Sequence, residues 1–358
     1  MACVPRFAET FHAAIRDRRP GLGHAAVRAA FWWLRLPYGI GVAFRNRRFD
    51  RNTARAIRVP VPVISIGNLT LGGTGKTPAV EYFAKHFRTR ERRVAILSRG
   101  YGSEAGPNDE ALLLEGNLPD VPHLQGRDRA ALALTAIEEL DSEVLILDDG
   151  FQHRRLHRDF DIVLIDATRH IAAEYLFPRG LLREPLSGLS RAHAVVFTRC
   201  DQAAPGRLGK RVREIGRRFP HLAVATARHV PVELIREGHA PIGPGHLRGR
   251  SAVAFCGIGN PDAFRKTLAD LGADVLAFRT FADHFAYSKG DVDDLRSWAA
   301  GFPEGTDVLT TQKDWVKLRT PDLAGRPLLA LRVGLAFVSG EAGLLARLDA
   351  ALPEPAPE

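Results

Sequence analysis

From Val59 onward the chain alternates short apolar, β-branched runs with segments of helical period. The runs Val61–Ile66, Val94–Leu97, Val144–Leu147, Ile162–Ile165 and Ala194–Phe197 read as strands. Thr77–Phe87 and Arg127–Glu139 carry their apolar residues at helical spacing. Near-continuous apolar strands separated by helices predict a parallel sheet covered on both faces, an α/β fold. After the Pro/Gly-rich stretch Val230–Gly249 a second series begins, with strands near Ala252–Cys256, Val275–Phe278, Val308–Leu309 and Leu328–Leu331. The expected layout is therefore a larger α/β lobe over 56–230 and a smaller one over 231–358.

Residues 1–55 follow a different pattern. Around Ala29-Ala30-Phe31-Trp32-Trp33-Leu34-Arg35-Leu36-Pro37-Tyr38 the spacing predicts an amphipathic helix from about Gly23 to Leu36, stopping before Pro37. Its apolar run is interrupted by Arg35 and Pro37, well short of the ~20 residues of a spanning helix. The order is wrong for a secretory signal, and residues 1–50 lack the serines usual in a transit peptide. Two readings remain open: a helix packed on the protein's own core, and one lying in a membrane interface.

Charge bears on that choice. The 358 residues carry a formal net charge of +9. The first 55 hold 11 arginines, no lysine and three acids, so the body is nearly neutral. A basic arm on a neutral body favours an anionic membrane surface and argues against a nucleic-acid binder. Three cysteines without metal-ligand spacing support neither a disulfide framework nor a zinc site.

The chemistry concentrates in Gly67-Asn68-Leu69-Thr70-Leu71-Gly72-Gly73-Thr74-Gly75-Lys76-Thr77-Pro78, a glycine loop between a strand and a helix. Glycines let backbone N–H groups close around phosphate oxygens, and the helix adds the positive end of its dipole. This is a P-loop in which Thr70 holds the first-glycine position. Lys76 is placed for the β- and γ-phosphates of ATP and Thr77 for Mg²⁺. The nucleotide set is then Asn68, Thr70, Gly72, Gly73, Thr74, Gly75, Lys76 and Thr77. The apolar run Val144–Leu147 ends in Asp148 and Asp149, the carboxylates expected to join Thr77 at that Mg²⁺.

Together with Ser98-Arg99-Gly100-Tyr101-Gly102, Asp148-Asp149-Gly150-Phe151-Gln152-His153, Leu182-Arg183-Glu184-Pro185 and Thr310-Thr311-Gln312-Lys313-Asp314, the loop resembles the tetraacyldisaccharide 4′-kinases of lipid A biosynthesis. The matches run in order from about residue 32 to 318. The resemblance implies transfer of the ATP γ-phosphate to the 4′-hydroxyl of an acylated disaccharide 1-phosphate, giving lipid IV-A. It implies peripheral work at the cytoplasmic face of the inner membrane. It makes Asp109 the base and His284 its partner from the other lobe, and Arg99, Gln152, His153 and Arg183 candidate substrate contacts. Read from the residues alone, the favoured reading of Asp109 is a loop acid after Pro107 and that of His284 a surface histidine; the resemblance reverses the preference. The chain departs from the family pattern at Asn108, Ala111, Arg179, Leu181, Phe285 and Gln312. A competing reading is a membrane-associated partitioning ATPase, whose loop is Lys-Gly-Gly-x-Gly-Lys-Thr; its signature lysine would be residue 71, here leucine.

Overall fold

The structure, a computed structural model, describes residues 22–51, 56–100, 109–169, 171, 174–283, 285–318 and 320–352. His284 therefore lies outside the described residues, as does much of the basic N-terminal arm.

The described strands form one twelve-stranded sheet. Its first half contains β1 (Val63–Asn68), β2 (Val94–Ser98), β3 (His123–Gln125), β4 (Val144–Asp148), β5 (Phe160–Asp166) and β6 (Ala194–Thr198), and its order is β3-β2-β4-β1-β5-β6. All these pairs are parallel. Every residue of β1, β2, β4, β5 and β6 is buried, which explains their unbroken apolar character.

The second half contains β8 (Ser251–Cys256), β9 (Asp274–Thr280) and β10 (Asp307–Thr311), again parallel. The halves meet through two long strands, β7 (Ala223–Ile235) and β12 (Arg326–Ser339), which pair antiparallel from Ala330↔Ile235 to Ser339↔Thr226. The two-residue β11 (Asp322–Leu323) pairs beside β12. The lobe division drawn at 230/231 thus falls inside β7. Sequence reading finds only Leu328–Leu331 of the ribbon, because its half-exposed flanks lack the apolar run of the central strands.

Helices cover both faces. The helix after β1, α2 (Lys76–Arg88), buries Ala79, Val80, Phe83, Ala84 and Phe87 at i, i+4, i+8 spacing against one face. Between β2 and β3 runs α3 (Asp109–Asn117); α4 (Arg129–Glu138) packs on the opposite face, capped by the Asp128 side chain. That face also carries α5 (Arg207–Arg218). In the second half, α6 (Pro261–Asp270) and α7 (Lys289–Ala300) pack in separate cores, and α8 (Gln312–Leu318) follows β10. The last helix, α9 (Glu341–Ala350), returns to the first half, placing Leu344 and Leu348 in the core under α2.

The N-terminal helix differs from expectation. It is α1 (Leu22–Arg51), and it continues through Pro37. An interior proline removes one helix hydrogen bond and costs ~3 kcal/mol. Docking beyond it offsets that cost. Tyr38 Oη donates to the Arg183 carbonyl (2.8 Å), Val42 is buried, and Arg154 donates to the Asn46 carbonyl and to Asp50. Tyr38 also meets the Phe177 ring edge-on at 5.5 Å. The opposite side of α1 stays in solvent: Trp33, Ile40 and Phe44 are 66%, 70% and 69% exposed. One face of this helix thus packs on the body, and an apolar stripe remains outside.

Candidate active site

The phosphate loop leaves β1 where neighbouring connections diverge, since β1 lies between β4 and β5. In open α/β sheets ligands bind outside the carboxyl ends of strands at such a point. The carbonyls of Gly72, Gly73 and Thr74 are each fastened by a side chain. Asn68 Nδ2 reaches the Gly72 carbonyl (3.4 Å) and Thr74 Oγ1 (2.9 Å). Arg199 donates to the Gly73 carbonyl (2.9 Å), and Thr198 Oγ1 to that of Thr74 (2.8 Å). Arg199 is itself held by Asp166 at 2.5 Å. In a trans peptide N–H points opposite C=O, so these bonds leave the amides of Gly73, Thr74 and Gly75 for an anion. Gly75 (φ +87°) caps α2, and a Cβ there would collide with the His229 ring.

Behind the loop, Asp148 ends β4 buried and Asp149 follows in left-handed conformation (φ +54°). Arg183 Nη1 donates to Asp149 Oδ2 at 2.7 Å, and Lys76 Nζ stands 3.7 Å from Oδ1. Burial pushes the Asp148 carboxyl up to about 7, helped by the Glu110 charge. Burial acts on Asp149 in the same direction, but Lys76 and Arg183 together hold its carboxyl below the usual range.

Asp148 Oδ1 and Asp149 Oδ1 are both buried without a hydrogen-bond partner. Two orphaned carboxylate oxygens beside Lys76 and Thr77 suit Mg²⁺, which takes one or two carboxylates and completes its shell with phosphate and water. No group of three or more His, Cys, Asp or Glu arranged for a metal occurs among the described residues.

In front of the loop opens a crevice between the two halves of the sheet. Gly73 to Pro78 line one side, with Glu81 and Glu110. Gly259, Asn260, Phe264, Asp283 and Lys313 line the other. Of the expected nucleotide residues, Gly73, Thr74, Gly75, Lys76 and Thr77 face this space. Asn68, Thr70 and Gly72 do not line it: Asn68 braces the loop, and Thr70 bridges to Leu182.

The expected substrate residues divide. Gln152 and Arg183 sit with the carboxylates; Gln152 Nε2 donates to the Asn68 carbonyl and to Glu184, both at 2.9 Å. His153 lies apart from the crevice lining, and burial with nearby Arg129 and Arg158 lowers it to about 4. Arg99 is exposed beyond β2. Asp109 opens α3 and accepts from the Glu110 amide (3.1 Å), while Glu110 lines the crevice.

Sequence reading missed Asp166, Thr198, Arg199, His229 and Glu110. The available signal was position: Asp166 and Thr198 are the last residues of β5 and β6, and Arg199 follows directly. It also missed a buried network in which Arg332 donates to Glu81 (2.5 Å) and Glu233 (2.6 Å). Asn117 joins Glu81 (3.0 Å) to Gln312 (2.7 Å), tying α3 to the second half.

Fold and site together define a P-loop phosphotransferase with a parallel sheet covered by helices. The family described as tetraacyldisaccharide-1-P 4′-kinase matches residues 27–353, and the chain belongs to that family. A tetraacyldisaccharide 4′-kinase of Anaeromyxobacter sp. strain Fw109-5 is 39% identical over 355 residues, covering 93% of this chain and 94% of its own. One from Anaeromyxobacter dehalogenans strain 2CP-1 is 40% identical over 358 residues, covering 93% of each. The crystal structure of LpxK from Aquifex aeolicus in complex with ATP superposes with a TM-score of 0.69 at 32% identity, covering 90% of this chain and 99% of that one. The family match sets aside the partitioning-ATPase reading.

Proposed function

We propose that this chain transfers the γ-phosphate of ATP to the 4′-hydroxyl of a tetraacyl disaccharide 1-phosphate, with the crevice before the phosphate loop as the site. The observation that carries the reading is the loop with its carbonyls fastened outward and Lys76 set between it and Asp149. The amides of Gly73 to Gly75 and the Lys76 ammonium hold the β- and γ-phosphates. Thr77, Asp148 and Asp149 hold Mg²⁺, which when bound neutralises charge on the phosphate oxygens. Arg183 orients Asp149 and, with Gln152, meets the sugar end of the acceptor. His153 and Arg99 bound the acceptor path.

Asp109 accepts the 4′-hydroxyl proton as the oxygen bonds to the γ-phosphorus and the bond to the β-phosphate oxygen breaks, releasing ADP. His284 orients Asp109 from the second half. The crevice has walls from both halves, so closure about the β7–β12 ribbon assembles these groups around the two substrates.

The acceptor is anchored by its acyl chains, so the enzyme works at a bilayer surface, the cytoplasmic face of the inner membrane. No described helix is long and apolar enough to cross a membrane. The exposed stripe Trp33, Leu36, Ile40 and Phe44 of α1 enters the interface, and the net positive charge of residues 1–55 draws that segment to anionic headgroups. Nucleic acid is not a partner.

The test is transfer of labelled γ-phosphate from Mg²⁺·ATP to the tetraacyl disaccharide 1-phosphate in detergent micelles. Wild type should yield phosphorylated lipid, and Lys76→Ala and Asp109→Ala should not. Activity surviving Asp109→Ala would move the base elsewhere. No transfer by wild type that still binds ATP would overturn the acceptor assignment.

A further inference from the structure

Where α1 docks on the body, two guanidinium groups converge on one ring. Arg35 lies 5.2 Å from the centroid of Tyr175 and 4.5 Å from that of Trp32. Arg179 lies 4.8 Å from the same Tyr175 ring. Among the described residues neither arginine has a carboxylate partner, and Arg35 Nε is buried without a hydrogen bond. Cation–π contact offsets part of the repulsion between two like charges but supplies no hydrogen-bond acceptor. A planar, five-donor guanidinium pair lacking an acceptor suits a phosphate ester.

The position narrows the ligand. Tyr175 and Arg179 belong to the short segment that leads to Arg183, whose side chain holds Asp149 and whose carbonyl accepts from Tyr38. The segment is closed on itself by backbone hydrogen bonds, from the Gly180 amide to the Leu176 carbonyl (3.1 Å) and from the Leu182 amide to the Tyr175 carbonyl (3.0 Å). On the proposed reading Arg183 marks the reacting end of the acceptor, and Arg179 stands four residues before it on the same segment, across the Tyr175 ring from Arg35 of α1.

We infer that Arg35 and Arg179, stacked on Tyr175, form a receptor for the acceptor's own 1-phosphate and set the preference for a phosphorylated disaccharide. The inference rests on the proposed kinase reading. The same chemistry would suit a bilayer phospholipid headgroup, so the experiment separates the two sources.

Transfer is measured in phospholipid-free detergent micelles with two acceptors, the tetraacyl disaccharide 1-phosphate and the same compound with a free 1-hydroxyl. Binding to phosphatidylglycerol vesicles is measured beside it. Arg179→Ala and Arg35→Gln should each raise KM for the phosphorylated acceptor about tenfold, with kcat within about twofold. KM for the 1-hydroxyl compound should stay unchanged, and Arg179→Lys should recover part of the loss. An equal rise for both acceptors would mean that the stack only seats α1, and would overturn the inference. Lost vesicle binding without acceptor discrimination would assign the pair to bilayer phosphate and overturn it as well. If wild type phosphorylates neither acceptor, the kinase reading fails and this inference falls with it; transfer without discrimination sinks this inference alone.

Discussion

Arg183 and Asp149, 34 positions apart, share a 2.7 Å ion pair that takes up one Asp149 oxygen and leaves the other to Lys76, 3.7 Å away. The arginine thereby fixes which face of the carboxylate is available to a metal. Asp149→Asn should lower kcat by about 10³ and raise the Mg²⁺ concentration needed for half-maximal transfer. Arg183→Ala should also raise that Mg²⁺ requirement, by a smaller factor, because the carboxylate stays but loses its orientation. A Mg²⁺ titration of transfer for both variants checks the order.

Gly75 combines φ +87° with close approach of the His229 ring. Gly75→Ala meets both obstacles, with left-handed strain of about 1–3 kcal/mol and a collision on top. Nucleotide affinity should fall by at least about tenfold by calorimetry. Gly75→Ala combined with His229→Ala should recover only part of it, since the second change removes the collision and leaves the φ.

The apolar stripe on α1 predicts a separation of stability from membrane binding. Trp33→Ser, Ile40→Ser and Phe44→Ser together should leave Tm within about 2 °C, since these side chains are already mostly in water. Partition onto anionic vesicles should fall by at least about tenfold, from the loss of apolar area available to the interface. A Tm drop without a partition change would reverse the assignment of this face.

Three partly buried histidines bear on acid stability. Burial lowers His123 and His153 to about 4 and His229 to about 3, from an ordinary 6.5. Between pH 6.5 and about 4 the unfolded chain binds protons at these sites that the folded one does not, so stability falls as pH falls. Asp148, raised to about 7 by burial, works the other way over pH 4–7 and offsets part of the loss. Tm in the absence of Mg²⁺ should therefore decline from pH 6.5 to 4, and His229→Gln should flatten the decline.

The sequence by itself determined the elements whose causes are local. Buried strands announce themselves as β-branched runs: β2 and β4 begin at the residues expected, while β1 is shifted by two residues. The loop Leu71–Thr77 is legible because only glycines let backbone amides close on phosphate, and the carboxylates stand at a strand end. Tertiary structure decided what depends on distant partners. Thr198 and Arg199 fasten the carbonyls of Thr74 and Gly73 across 124 and 126 residues, and no local pattern records which strand end will lie beside the loop. The helix through Pro37 survives because Tyr38 finds the Arg183 carbonyl 145 residues away. The β7–β12 ribbon joins the two halves through edge-to-edge hydrogen bonds, which depend on backbone register rather than side-chain period. Hydrophobic spacing specifies which face of an element is buried; which element it is buried against is settled only when the whole sheet closes its pairings at once.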